Sequence, residues 1–292
     1  MERSFQKILT LIDYSDTSFH AAEESAFIAS KLNSELHLLH ISPDENSPGL
    51  LTPGLPFFES PEKEEEEYYT KVGHLEKIKK DLNRRYGVSI MCFESRGTFI
   101  DIVKRHVENY LIDLIVLGAR KRNWLKEIFN ESKANSVIRS VDCEVLCVQP
   151  QSKTDKLKQI VLPIGESVPR KKIGIAYELA KRFAAKIHLI ALNKQEKVID
   201  NKSTEALVAS YQYLRDITNI PLECRTIAGR NLADAAVHYA EVIEADLILI
   251  DEGAESDLKK IAMWKGTIVN YSSIPVLSVQ SISDKSGNRY RA

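Results

Sequence analysis

The 292-residue sequence predicts an α/β fold of two tandem domains, each a five-stranded, doubly wound parallel sheet. Three observations predict it. Short apolar runs alternate with longer amphipathic stretches along the chain. Runs such as KILTLI and DLIVLG are nearly continuous in apolar residues, as strands covered by helices on both faces require. Finally, the chain repeats itself in four blocks in the same order. KILTLIDYSD from Lys7 matches QIVLPIGESV from Gln159, and SELHLLHIS from Ser34 matches AKIHLIALN from Ala185. RGTFIDIVKRHVENYLIDLIVLGA from Arg96 matches GRNLADAAVHYAEVIEADLILIDE from Gly229, and CEVLCVQP from Cys143 matches IPVLSVQS from Ile274. Setting Gly97 on Gly229 in the third block places His106 on His238. The polar stretch PQSKTDKLK, 150–158, separates a first domain, 1–150, from a second, 159–281.

Each element has its own signal and a counterpart in the second repeat. The first strand is 7–12 (159–164), an apolar run. The first helix is 16–33 (168–184), where Ser15 or Asp16 can accept a hydrogen bond from an open backbone N–H. The second strand is 35–41 (186–192), and a long amphipathic helix follows at 61–86 (200–219). The third strand and helix are 88–94 and 98–110 (221–227 and 230–244). The fourth strand is 113–118 (246–251), and after a loop and a last helix the fifth is 144–149 (275–280). Right-handed crossovers favour a doubly wound order, and ligands of such sheets sit at the carboxyl ends of the strands where the winding reverses. With strands one and four flanking that reversal, the loops after Ile12 and Gly118 face one crevice.

The first repeat carries an insertion over 42–60, rich in Pro and Gly, whose Phe57 and Phe58 tether it to the body or pack over the crevice. The acidic run Glu62 to Glu67 suits a helix N-terminus. The tail SISDKSGNRYRA is polar and expected to fray.

Composition excludes several functions. With 40 Lys and Arg against 41 Asp and Glu, the net charge of −1 offers no global field for nucleic acid. No apolar run reaches the roughly 20 residues of a membrane span, and MERSFQKILTLID lacks a signal-peptide pattern, so a cytoplasmic location is expected. The four cysteines form no C-x-x-C and read as buried thiols, and the seven histidines show no metal spacing. There is no G-x-x-x-x-G-K-[ST], no G-x-G-x-x-G after a strand and no G-x-S-x-G, so nothing marks an NTPase, a dinucleotide enzyme or a hydrolase.

ILTLIDYSD, GTFIDIVKRH, DLIVLGA and CEVLCV, each echoed in the second repeat, together resemble the universal stress protein family in its two-domain form. The resemblance covers nearly the whole chain and implies the adenine nucleotide alpha hydrolase-like version of the predicted fold. Family members divide into those that bind ATP through G-x-x-G, nine residues, then G-S or G-T, and those that lack this motif and do not. The glycines let backbone N–H groups approach phosphate oxygens, and the helix start adds a hydroxyl and positive potential.

By this resemblance Gly118 fits the first glycine and Ser132 the hydroxyl, while Lys121 stands at the second glycine and Glu131 at the third. Asp13 matches the acidic residue beside the nucleotide, and Ile41 an apolar residue beside the base. A carboxylate about 4 Å from a phosphate charge costs up to about 4 kcal/mol, roughly a thousandfold in affinity. Arg120, Lys121 and Arg122 offset part of that. In the second repeat Gly165 replaces Asp13, Asp251 replaces Gly118, and Glu252, Glu255 and Asp257 oppose a polyphosphate; Gly266–Thr267 falls out of register. No catalytic residue and no resident cofactor are expected.

The resemblance implies a non-catalytic stress-response module with degenerate nucleotide loops, acting through protein partners. The alternative is an ATP-binding sensor or weak ATPase using the first domain. Family dimers form through the last strand, so 144–149 is expected to pair with 275–280 about a pseudo-twofold axis.

Overall fold

The computed structural model describes residues 5–42, 61–118, 137, 140–148, 157–193, 202–251 and 274–280. The chain divides into two compact units, Met1–Leu157 with Val269–Pro275 and Lys158–Ile268 with Val276–Ala292. The first contains β1 (Lys7–Ile12), α1 (Asp16–Leu32), β2 (Glu35–Ser42), α2 (Pro61–Tyr86), β3 (Ile90–Arg96), α3 (Phe99–Tyr110), β4 (Leu114–Gly118) and β5 (Glu144–Val148). Its strands run parallel in the order β3-β2-β1-β4-β5. The winding therefore reverses between β1 and β4, and the turn after Ile12 and the end of β4 at Gly118 share that point.

The second unit contains β6 (Gln159–Pro163), α4 (Arg170–Phe183), β7 (Lys186–Asn193), α5 (Lys202–Ile217), β8 (Leu222–Ala228), α6 (Leu232–Val242), β9 (Leu247–Asp251) and β10 (Val276–Val279). Its order is β10-β9-β6-β7-β8, again parallel, with the reversal between β6 and β9. The predicted α/β doubly wound sheet is present in both units. The last helix of each repeat lies largely outside the described residues, as do 43–60 with Phe57 and Phe58 and the tail beyond Gln280.

The central strands are buried on both faces, with Ile8, Leu9, Leu36, Leu38, Ile115 and Val116 inaccessible to solvent. Small residues let α1 lie close to them: Ala21, Ala22, Ala26 and Ala29 are buried. Inside that contact Ser25 Oγ donates to Ala21 O at 2.6 Å, so Thr10 is the donor in its 2.5 Å contact with Ser25 Oγ, and both buried hydroxyls are satisfied.

Two details separate the observed elements from the expected ones. β3 begins at Ile90, not 88, because Gly87 takes φ +66° and Asn83 Nδ2 donates to Val88 O at 2.9 Å, closing α2 before the strand starts. The third repeat block is offset by one residue. Thr98 caps α3 and Asn231 caps α6, so Gly97 answers Arg230, not Gly229, and His106 answers Tyr239, not His238. Burial agrees: His106 is 7% exposed, whereas His238 is on the surface. The two glycines serve different needs. Gly97 adopts φ +135°, while a Cβ at Gly229 would come within 2.7 Å of the Ala235 Cβ.

With that offset the units share two polar devices. Asp113 Oδ2 accepts from the backbone N–H groups of Gln6 (2.8 Å) and Lys7 (2.9 Å), and Asp246 Oδ2 accepts from Lys158 (2.7 Å) and Gln159 (2.9 Å). Beneath β2, His37 Nδ1 lies 3.0 Å from His106 Nε2; beneath β7, His188 Nδ1 lies 2.9 Å from Tyr239 Oη.

Candidate functional site

At the reversal point of the first unit, the chain leaves β1 through a turn built by its own hydroxyls. Ser15 caps α1: its Oγ accepts from Ser18 N at 3.3 Å, and its backbone sits in the extended region that a cap requires. Asp13 Oδ1 accepts from both Ser15 N (3.0 Å) and Ser15 Oγ, and Ser18 Oγ donates to Ser15 O at 2.9 Å. Closing the turn puts Tyr14 in the left-handed region, φ 60°, which is uncommon for a bulky residue.

Tyr14 is held there by rings. Its ring lies 4.6 Å from that of His40, 5.9 Å from His74 and 6.5 Å from Phe19. Burial, with the negative charge of Glu94 and then Cys92 nearby, pushes its phenol up to about 12, so it stays a neutral donor at physiological pH. His40 Nδ1 donates to Ile12 O at 2.7 Å, because a carbonyl can only accept, and Nε2 faces Ser42 Oγ at 3.4 Å.

The structure brings three of the six sequence-predicted residues to one place. Asp13, Ile41 and Gly118 stand at the carboxyl ends of the adjacent strands β1, β2 and β4. Asp13 is exposed, and Ile41 is half-buried opposite Ser95 of β3. Arg120, Lys121 and Ser132 lie outside the described residues, as do Arg122 and Glu131.

Gly118 acquires a reason of its own. A Cβ on it would stand 2.3 Å from the Thr17 carbonyl oxygen and 2.8 Å from its carbon. The first turn of α1 rests directly on the end of β4, so only glycine fits, whether or not a ligand approaches. Thr17, Tyr14 and His40 were not picked out from the sequence.

The second unit fills its crevice differently. Gly165 follows β6 where Asp13 follows β1, and β9 ends in Asp251, which has a Cβ where Gly118 has none. α4 begins only at Arg170, further from its strand than α1. From that helix Lys172, 2% exposed, turns its ammonium to Pro163 O at 2.6 Å. A buried lysine thus donates to the last carbonyl of β6, at the strand end beside the reversal point.

Among the described residues no three His, Cys, Asp or Glu side chains group as metal ligands, and no helix is long and apolar enough to cross a membrane. The cysteines are free thiols; burial pushes Cys92 up to about 11 and Cys147 up to about 12, so neither is a ready nucleophile.

A family model described as the Universal stress protein family matches residues 4–149. A universal stress protein of Methanocaldococcus jannaschii is 28% identical over 152 residues, 52% of this chain and 86% of that protein. Among solved structures, a universal stress protein from Archaeoglobus fulgidus superposes with a TM-score of 0.71 at 14% identity, covering 96% of this chain and 99% of that one. A protein of unknown function from Pseudomonas aeruginosa gives 0.61 at 15% identity, with 95% and 93% covered. At these identities the structural matches concern the fold.

Proposed function

The chain belongs to the universal stress protein family, and from that premise we propose that it is a non-catalytic, cytoplasmic stress-response module acting through protein partners, its nucleotide loops reduced to structural parts. The observation that carries the reading is Gly118. The glycine of the motif that survives is accounted for by its contact with Thr17. The supporting observations point the same way. One oxygen of Asp13 is engaged by Ser15, and the second unit places the Lys172 ammonium on its own β6 carbonyl. The sequence adds Lys121 and Glu131 at the two other glycine positions.

The test is the ligand content of freshly purified protein, by mass spectrometry after denaturation, with a melting scan at millimolar ATP. The reading expects no stoichiometric adenine nucleotide and no rise in Tm. A bound nucleotide, or a rise that Asp13→Asn removes, would establish the second reading, an ATP-binding sensor in the first unit. That reading is kept because Asp13, Ile41 and Gly118 still stand together at the reversal point.

A further inference from the structure

A cavity of about 560 Å³ lies between α1 and α2 in the first unit, with Tyr14 of the turn after β1 at one end. We propose that it is a binding site for an uncharged, planar aromatic molecule, a role separate from the nucleotide crevice.

Volume comes first: 560 Å³ is within the range of small-molecule pockets, roughly 300–1,000 Å³. The walls then decide the chemistry. One end is ringed by Tyr14, Phe19 and His74, with Phe19 and His74 both exposed to an incoming ligand. Such ring faces and edges favour another aromatic system by offset or edge contact. The floor is Ala22, Ile78 and Leu82, which offer no polar atom of a side chain. Along α2 the wall from His74 to Arg85 runs about 16 Å, long enough for a fused ring system.

Charge argues against an ionic ligand. Among the described residues, the charged ones in the lining are Glu23 and Asp81 against Lys77 and Arg85, which sum to zero. Arg85 is already spent: Nη1 meets Glu23 Oε1 at 2.5 Å and Nη2 meets Asp81 Oδ2 at 2.7 Å. An anion at Arg85 would have to displace a carboxylate, a cation would have to compete with Arg85 for one, and Lys77 is exposed, where water and salt screen its charge. An uncharged molecule does neither, and it replaces water on apolar wall and ring faces.

The experiment is a fluorescence titration of the full chain with Nile red, an uncharged planar dye. One saturable site with a Kd on the order of 10 μM is expected. Ile78→Trp places an indole in the cavity and should weaken binding about tenfold or more; Phe19→Ala removes a partly exposed ring and should weaken it severalfold. Tm is read for each variant. Should Ile78→Trp prove destabilised, Phe19→Ala decides alone. Absence of saturable binding to the wild type, or an unchanged Kd in the deciding variant, overturns the proposal. Tyr14 borders both the cavity and the turn beside Asp13, so dye binding is decided at Phe19 and Ile78 and ATP binding at Asp13, and either can fail without the other.

Discussion

The contact between Gly118 and Thr17 has a mutational consequence. An alanine there would put its Cβ 2.3 Å from a backbone oxygen, and a backbone cannot swing aside as a side-chain tip can. Gly118→Ala should therefore lose about 2 kcal/mol or more, read as a lower urea midpoint; an unchanged midpoint would mean α1 can shift outward at no cost. Asp113→Ala should lose about 1–3 kcal/mol by leaving the Gln6 and Lys7 N–H groups without their shared acceptor, and Asp246→Ala should do the same to the second unit. At this scale the sequence was half legible. Gly118 stood out as a glycine closing an apolar run, but Thr17, which makes it necessary, is about a hundred residues away. Chain proximity carries no trace of such a clash. Asp113 and Asp246 were visible only as a repeated letter before an apolar run, and their two acceptor bonds emerge from strand packing.

Elements were the most readable level, because periodicity encodes which face is buried. The exception was α3 against α6, where matching glycine to glycine shifted the helices by one position. The N-caps Thr98 and Asn231 correct the offset, and with it the reading of the histidines. His106 packs under β2 against His37, Phe93 and Tyr110, and burial first, then the charge His37 would carry, pulls its imidazole down to about 4. His37 is also lowered, mainly by burial, with Glu35 opposing through its 2.7 Å contact and Lys7 reinforcing. The folded pKa of His106 lies below the unfolded value near 6.5, so the unfolded chain binds the proton more readily between them. Its contribution is present above pH 6.5 and is lost as pH falls toward 4, by on the order of 3 kcal/mol. His106→Tyr, which copies the Tyr239 arrangement of the second unit, should flatten that part of the profile. Urea midpoints at pH 7, 5.5 and 4.5 for the two proteins check it, and parallel profiles would discard the assignment.

For the molecule as a whole, each unit's last strand is apolar and ends that unit's own sheet order. A strand with open backbone donors and acceptors invites a partner. The pairing of 144–149 with 275–280 proposed from the sequence predicts that deleting 275–292 drives the chain to associate, seen by light scattering; a monodisperse monomer would reject it. Duplication itself was legible end to end, since it needs only four ordered blocks. What each copy does with its crevice was not, because Lys172 came to light only through its burial. That lysine sits in one copy alone, on α4 itself, with its ammonium turned inward to β6. An amine-acylating reagent can label it only after α4 lifts from β6. Its labelling rate, set against that of surface lysines, is thus a built-in clock for the lifting of that helix from its sheet.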